Sequence, residues 1–410
     1  MKKITLTGLV VTLFLFACNK KNEELPISKY QEFTLKEKSY IEVSNSFAFD
    51  MFRTFKDEPT TKNLFISPLS IQFALAMTYN GAENATKIAF EKTLRMSGLS
   101  RNEVNSFFNK MNNNLLASDN NVKFTIANSI WYDQKLNVLD SFINANKHYY
   151  DAEVVKANFI NNTTLTTINN WVNTKTNGKI RTILDEIPDD AAMYLINALY
   201  FNGTWKYAFE KDKTVDFPFE LNDKSQINCK MMQQQGTFYY TSNETLEMVE
   251  LPYGNGNFSM YILLPKQVNG SSEFTNKLTD KNWKLWTKAS KPINLVVKLP
   301  RFKFTWGRTI NEEVKAMGLA NAFSDSADFN GISTYAGLCI SKIIHKTYID
   351  VYEEGTEAAA VTAVEISYTS VGPDKSPSTF IANKPFLFLI QEKTTGSILF
   401  MGKINNPNIQ

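Results

Sequence analysis

Cysteine and histidine are scarce in this chain of 410 residues, which holds three of the first and two of the second. So few thiols cannot make the disulfide framework that staples small secreted domains. Two histidines, His148 and His345, leave little from which to assemble a metal cage or a base-activated nucleophile. The Gly-x-Ser-x-Gly elbow, His-Glu-x-x-His, paired Cys-x-x-Cys, the Walker loop and Gly-x-Gly-x-x-Gly are all missing. Asp325 to Gly331 has the composition of a calcium loop without its ligand spacing or distal glutamate, and reads as a turn. No cofactor, no metal and no enzymatic activity are therefore expected. With 44 Lys and Arg against 41 Asp and Glu, the net charge of +3 is too small to point to nucleic acid or an acidic membrane surface. No internal repeat and no low-complexity tract appears.

What is present is a hydrophobic fraction of 43%, with 13% aromatic residues, enough for one large core. The N-terminus carries the basic run Met1-Lys2-Lys3 and an apolar stretch from Ile4 to Phe14, too short for a membrane span. Leu15-Phe16-Ala17-Cys18 resembles a bacterial lipobox, in which the cysteine is lipidated and becomes the new N-terminus; the alternative is an ordinary secretory signal with a chance cysteine. The expectation is a signal peptide over 1–17 and a polar tether over 18–38 from lipidated Cys18. The protein would then be exported and lipid-anchored to a bacterial outer membrane, on its periplasmic or cell-surface side. Cys229 and Cys339 are expected to be free core thiols.

Tyr40, Val43, Phe47, Met51 and Phe55 recur at helical spacing. Asn63 to Ile66 reads as a short strand. Ser67-Pro68 then opens a helix with an N-cap serine and proline at its first position. That helix, to Met77, is apolar nearly all round and should be buried. Strands are expected over Phe124–Tyr132, Met193–Phe201, Leu295–Phe304 and Ile343–Val351, and as hairpins within Met248–Pro265 and Phe386–Gly402. Helices are expected over Leu165–Ile180 and Thr309–Met317. Asn197 and His345 each fall on the apolar face of their strand, where an unsatisfied polar group costs about 1–3 kcal/mol.

The stretch around which the chain is organised follows Val351. From Thr356 the period-two face Thr356, Ala358, Ala360, Thr362, Val364, Ile366 is that of a half-buried strand. Yet Tyr368 to Ser378 has the composition of an exposed loop. Gly355 to Ala363 holds four alanines, two threonines and one glycine in nine residues, small enough to slide between two packed strands. It reads as a strand in waiting.

Glu353-Glu354-Gly355-Thr356-Glu357-Ala358-Ala359-Ala360, followed by Asn383-Lys384-Pro385-Phe386, strongly resembles the hinge and distal end of a serpin reactive-centre loop, and the N-terminus is similar to that of bacterial lipoprotein serpins. The resemblance runs from residue 39 to the C-terminus. It implies an α+β serpin fold, three β-sheets with about eight to nine helices, as a single domain over 39–410 with the hinge and exposed loop at 353–384. It implies that Ser67, Ser70, Asn197 and His345 form the cluster that controls opening of the main sheet, His345 pairing with Asn197 as a latch. Trp205 matches the tryptophan at the breach, where insertion begins. The implied function is suicide inhibition of serine endopeptidases with chymotrypsin-, elastase- or subtilisin-like specificity, extending to some cysteine proteases, through a covalent acyl complex formed by a monomer. A non-inhibitory serpin acting as a binding protein, or an unrelated surface-lipoprotein module, are the alternatives. For the reactive bond, pocket chemistry favours Tyr368-Thr369, the count from the hinge glycine favours Thr369-Ser370, and Lys375 comes third.

Overall fold

Helix α1 (Leu35–Thr54) starts inside the stretch expected to be tether. Thr34 Oγ1 accepts from the Glu37 N–H at 3.2 Å, and the Glu37 carboxylate accepts from the Thr34 N–H at 2.7 Å, a capping box. Phe33 is buried against Phe107. The folded unit thus begins before residue 39; the charged run Lys36-Glu37-Lys38 hid the cap. The computed structural model describes residues 30–55, 58–59, 61–267, 270–335, 337–356 and 377–409.

Along the chain follow β1 (Leu64–Ile66), α2 (Pro68–Tyr79), α3 (Asn84–Thr93), α4 (Arg101–Ala117), β2 (Val122–Asp133), α5 (Asp140–Tyr150), β3 (Glu153–Ala157), α6 (Asn162–Lys175) and β4 (Met193–Thr204). Then come β5 (Val215–Glu220), β6 (Gln226–Ser242), β7 (Leu246–Tyr253), β8 (Phe258–Pro265), α7 (Gly270–Thr275), α8 (Asp280–Ala289), β9 (Lys291–Pro300), β10 (Phe302–Thr309) and α9 (Asn311–Val314). The chain closes with β11 (Ile344–Tyr352), β12 (Gly355–Thr356), β13 (Ser378–Ile381), β14 (Phe386–Glu392) and β15 (Ile398–Ile404). The fold is α+β, with nine α-helical segments among the described residues.

One sheet has six strands in the order β10-β11-β12-β4-β2-β3. The other follows β1-β15-β14-β8-β7-β6-β9-β13, with β5 against β6. The 17-residue β6 pairs with β5 and β9 along most of its length and with β7 only over its last three residues. Two of the three expected sheets share this long strand and are hydrogen-bonded into one. The single strand expected over Leu295–Phe304 is two, because the chain crosses between sheets at Arg301, whose N–H donates to the Lys230 carbonyl at 2.8 Å.

The core lies between the sheets. Phe65 stacks on Phe400 at 5.1 Å and Phe388 at 5.6 Å, and meets Phe304 of the six-stranded sheet at 6.3 Å. Helix α2 runs through this core, buried at every position but Ala74. Among the described residues no helix is long and apolar enough to cross a membrane.

Candidate functional site

Strand β11 ends at Tyr352, the chain turns through Glu353 and Glu354, and Gly355 and Thr356 come back as β12. This two-residue strand is antiparallel to both neighbours: Thr356 lies opposite Val351 and Gly203, and Gly355 opposite Tyr352 and Thr204. The approach is close. A Cβ on Gly355 would sit 2.2 Å from the Gly203 carbonyl oxygen, so no side chain fits there.

The turn is held on every side. Glu353 is 1% exposed, and Arg301 Nε donates to its two oxygens at 2.8 and 2.9 Å, joined by the Thr214 hydroxyl. Burial pushes the Glu353 carboxyl up, but the hydrogen bonds from Arg301 and Thr214 outweigh it and leave the group below its ordinary value. Glu354 pairs with Lys211. The Phe209 and Trp205 N–H groups donate to the Glu353 and Glu354 carbonyls at 2.9 and 2.8 Å. Trp205 also donates its indole N–H to the Tyr352 carbonyl at 2.9 Å and stacks on Tyr253 at 4.3 Å. The Tyr253 hydroxyl meets Thr356 Oγ1 at 2.5 Å, and burial raises its pKa well above the usual value. Trp205 therefore lies in the clamp on the hinge. Its partners Tyr253, Arg301, Thr214 and Lys211 were not identified from sequence, because nothing local marks them.

Lower down lie the other cluster residues. Ser67 caps α2, accepting from the Ser70 N–H at 3.2 Å and donating its hydroxyl to the Leu399 carbonyl at 2.8 Å. Its backbone N–H donates to His345 Nε2 at 2.9 Å, which fixes the imidazole proton on Nδ1. His345 is 6% exposed, and burial pushes its pKa down to about 3. The expected pairing with Asn197 is not made. Asn128 donates to the Tyr150 carbonyl at 2.7 Å and so turns its Oδ1 toward Asn197, which donates its Nδ2 there at 2.7 Å. Asn197 Oδ1 is left buried without a partner. The reason is spacing: among the described residues β4 and β11 are not hydrogen-bonded to each other, and at their heads β12 lies between them. Strands that flank a third stand about 9–10 Å apart, too far for a direct latch.

Glu357, Ala358, Ala359, Ala360, the reactive-bond residues Tyr368, Thr369 and Ser370, and Cys18 lie outside the described residues. Cys229 and Cys339 are both free. Burial pushes the Cys229 thiol up to about 11. Cys339 is exposed, not a core thiol as expected, because it sits on the irregular segment before β11 rather than on a packed strand. No group of three or more His, Cys, Asp or Glu able to hold a metal occurs among the described residues.

The sequence model of the family described as Serpin (serine protease inhibitor) matches residues 42–407. The human leukocyte elastase inhibitor is 34% identical over 374 residues, covering 88% of this chain and 97% of its own. Among solved structures, tengpin, a thermophilic serpin in its native state, superposes with a TM-score of 0.82 at 32% identity, covering 92% of this chain and 96% of its own. Human thyroxine-binding globulin complexed with its ligand does so at 0.82 and 28% identity, covering 91% and 100%.

Proposed function

The chain belongs to the serpin family, and from that premise we propose that it is a suicide inhibitor of secreted serine endopeptidases of chymotrypsin-, elastase- or subtilisin-like specificity, extending to some cysteine proteases. The observation that carries this reading is β12. A hinge that has already entered between β4 and β11, antiparallel to both, is the first step of a strand insertion.

Extending that register gives the rest of the path. Each residue added to β12 moves one residue down both neighbours, so Ala358 would come opposite Phe201 and Ile349, and Ala360 opposite Leu199 and Thr347. Thr362 would arrive between Asn197 and His345. There its hydroxyl can donate to Asn197 Oδ1 and accept from His345 Nδ1–H, filling both unmet hydrogen bonds. In this reading the latch is a third residue that bridges the pair after insertion.

The chemistry is the protease's own. Its nucleophile attacks the carbonyl of Tyr368, the amine of Thr369 leaves, and the chain is held as an acyl ester. The freed hinge then completes the strand. About 14 inserted residues span roughly 45 Å, carrying the bound protease to the far pole of the sheet, where its active site is distorted before water releases it. Val364 and Ile366 each contribute about 1.5–3 kcal/mol on burial, and each strand hydrogen bond roughly 1 kcal/mol. The uncleaved protein is then kinetically held above a deeper minimum.

The relation to leukocyte elastase inhibitor supports an inhibitory role, while the thyroxine-binding globulin likeness means that the fold alone does not decide it. The hinge composition supports the inhibitory reading: Gly355, Thr356 and the alanines after Glu357 carry nothing too large for the path. We further propose lipidation at Cys18 and export to the bacterial outer membrane as a monomer. Mixing the protein with chymotrypsin and with elastase should give a complex that survives SDS, and the released peptide should begin at Thr369. Cleavage without any stable complex would sink the inhibitory reading. A mature N-terminal peptide without diacylglycerol mass on Cys18 would remove the anchor.

A further inference from the structure

Beside the hinge turn, where β10 begins and β11 ends, the surface is hollowed into an open bowl of about 860 Å³. Four cations line it: Lys211 before β5, Lys230 of β6, Arg301 at the crossing between sheets and Lys303 of β10. They are neighbours. The Arg301 N–H donates to the Lys230 carbonyl at 2.8 Å, Arg301 and Lys303 stand two residues apart on one face of the chain, and Lys211 pairs with Glu354 next to the Glu353 that Arg301 holds. Three carboxylates line the bowl as well, Asp350, Glu353 and Glu354. The two signs are not placed alike: the four cationic side chains are 46–70% exposed, the three carboxylates 1–22%. An ion entering from solvent therefore meets positive charge first. The apolar part of the lining, Phe302, Val351 and Pro407, is buried, and a low-dielectric wall focuses the field above it.

The cations are loosely committed. Lys230 and Lys303 pair with Asp216 and Asp350 at 3.0 and 3.1 Å, and exposed pairs of this kind hold little free energy. Asp350 keeps the Tyr348 hydroxyl, at 3.0 Å, when Lys303 turns away. Arg301 holds Glu353 through Nε and Nη2, and its Nη1 makes no hydrogen bond to a described residue. Asn408, also in the lining, gives its amide to the Asn228 carbonyl at 2.8 Å. We infer that this bowl binds a compact oligophosphate anion, held by Lys230, Arg301 Nη1 and Lys303, with Lys211 joining when it releases Glu354. Arginine takes phosphate through its planar fork, and the lysines act as point charges. A short chain of phosphates presents enough oxygens to engage three or four cations at once, whereas a single phosphate reaches only part of the bowl. The site does not require that the loop insert.

Calorimetric titration of the full-length protein with tripolyphosphate, with orthophosphate and with citrate tests the assignment. Tripolyphosphate should saturate a single site, bind roughly tenfold more tightly than either of the others, and weaken as salt is added. Lys230→Gln combined with Lys303→Gln should loosen it roughly tenfold. Lys92→Gln on α3, exposed and outside the bowl, should leave it unchanged. Glu354→Gln removes the carboxylate that competes for Lys211 and should tighten binding, a gain that damage to the fold cannot produce. Equal binding of orthophosphate or citrate, binding at several sites per molecule, or an affinity unmoved by both the paired lysine change and Glu354→Gln overturns the inference.

Discussion

The head and the waist of the gap between β4 and β11 are built alike and finished differently. At the head every polar group of the turn has a partner: Glu353 with Arg301 and Thr214, Glu354 with Lys211, Thr356 with Tyr253. At the waist Asn197 Oδ1 has none and His345 uses one nitrogen of two. A buried polar atom left unpaired costs about 1–3 kcal/mol. The sheet is therefore stabilised where β12 has entered and penalised six residues below, at Asn197 and His345, a gradient that favours motion of the strand downward. The head holds the hinge in place, and the waist supplies a reason for it to continue.

The harshest way to break that contrast is to block the entrance. Thr356 is 4% exposed between two strands, and an arginine there would carry a buried, unpaired charge into the sheet, at a cost of several kcal/mol. Thr356→Arg should convert inhibitor to substrate, with the stoichiometry of inhibition rising more than tenfold. Ala358→Glu should do the same one step later. Titration of active chymotrypsin checks both, and an unchanged stoichiometry in either variant would count against insertion.

Acid sharpens the contrast at the waist. His345 is held neutral in the fold with a pKa near 3, against about 6.5 in the unfolded chain. A group whose folded pKa is lowered in this cationic sense binds its proton first in the unfolded state. Stability is then complete above pH 6.5 and falls as pH drops from 6.5 toward 3. Linkage gives a loss of about 2 kcal/mol at pH 5, or about 2–3 °C in the melting midpoint for a chain of this size. His345→Gln keeps an acceptor for the Ser67 N–H and removes the titration. Its melting point should stay flat between pH 7 and 5. An equal acid loss in the variant would place the sensitive group elsewhere.

The contrast also marks what sequence can carry. Helix α2 was legible because Ser67-Pro68 announces its start and its apolar residues announce its burial. The strands β4 and β11 were legible from alternation, and the small residues after Glu353 from the steric demand of a slot. Each of these is a local pattern. The clamp was not legible, since Arg301, Thr214 and Tyr253 lie far from Glu353 and Thr356 in sequence and meet only through the crossing of two sheets. The break at Arg301 was hidden for the same reason: alternation runs through it, and only the change of partner from β6 to β11 divides the stretch. The direct Asn197–His345 pair failed because it presumed strands in contact, whereas β12 holds their heads apart.

Smaller effects test the clamp itself. Glu353→Gln keeps the shape of the side chain and removes its charge from a pair with Arg301, whose side chain is 46% exposed. Solvent screening of that partner limits the loss to about 1–2 kcal/mol. Glu353 has a lowered pKa, so its contribution is complete above the ordinary carboxylate value near 4.5 and is lost as pH falls from there through the lower value the fold gives it. The variant should be less stable at pH 7 by that amount, and the difference should narrow steadily as pH falls below about 4.5. A difference that persists in acid would mean that shape, not charge, holds the turn.

The smallest expected effect comes from Tyr253→Phe. The substitution deletes one oxygen, the one that meets Thr356 Oγ1 at 2.5 Å, and keeps the ring that stacks on Trp205 at 4.3 Å. Phenylalanine fits the same volume, so packing is unchanged and only the hydrogen bond is tested. A single such bond contributes about 1 kcal/mol net, a factor of roughly five in the opening equilibrium of β12. Hydrogen exchange at the backbone N–H groups of Gly355 and Thr356 should accelerate about fivefold, while exchange at Ile349 and Val351 in the body of β11 stays as it was. Because the waist is untouched, the stoichiometry of inhibition should move little, which separates holding the hinge from drawing it in. Acceleration spread along all of β11 would mean that head and waist open as one unit, and that the distinction drawn between them does not exist in solution.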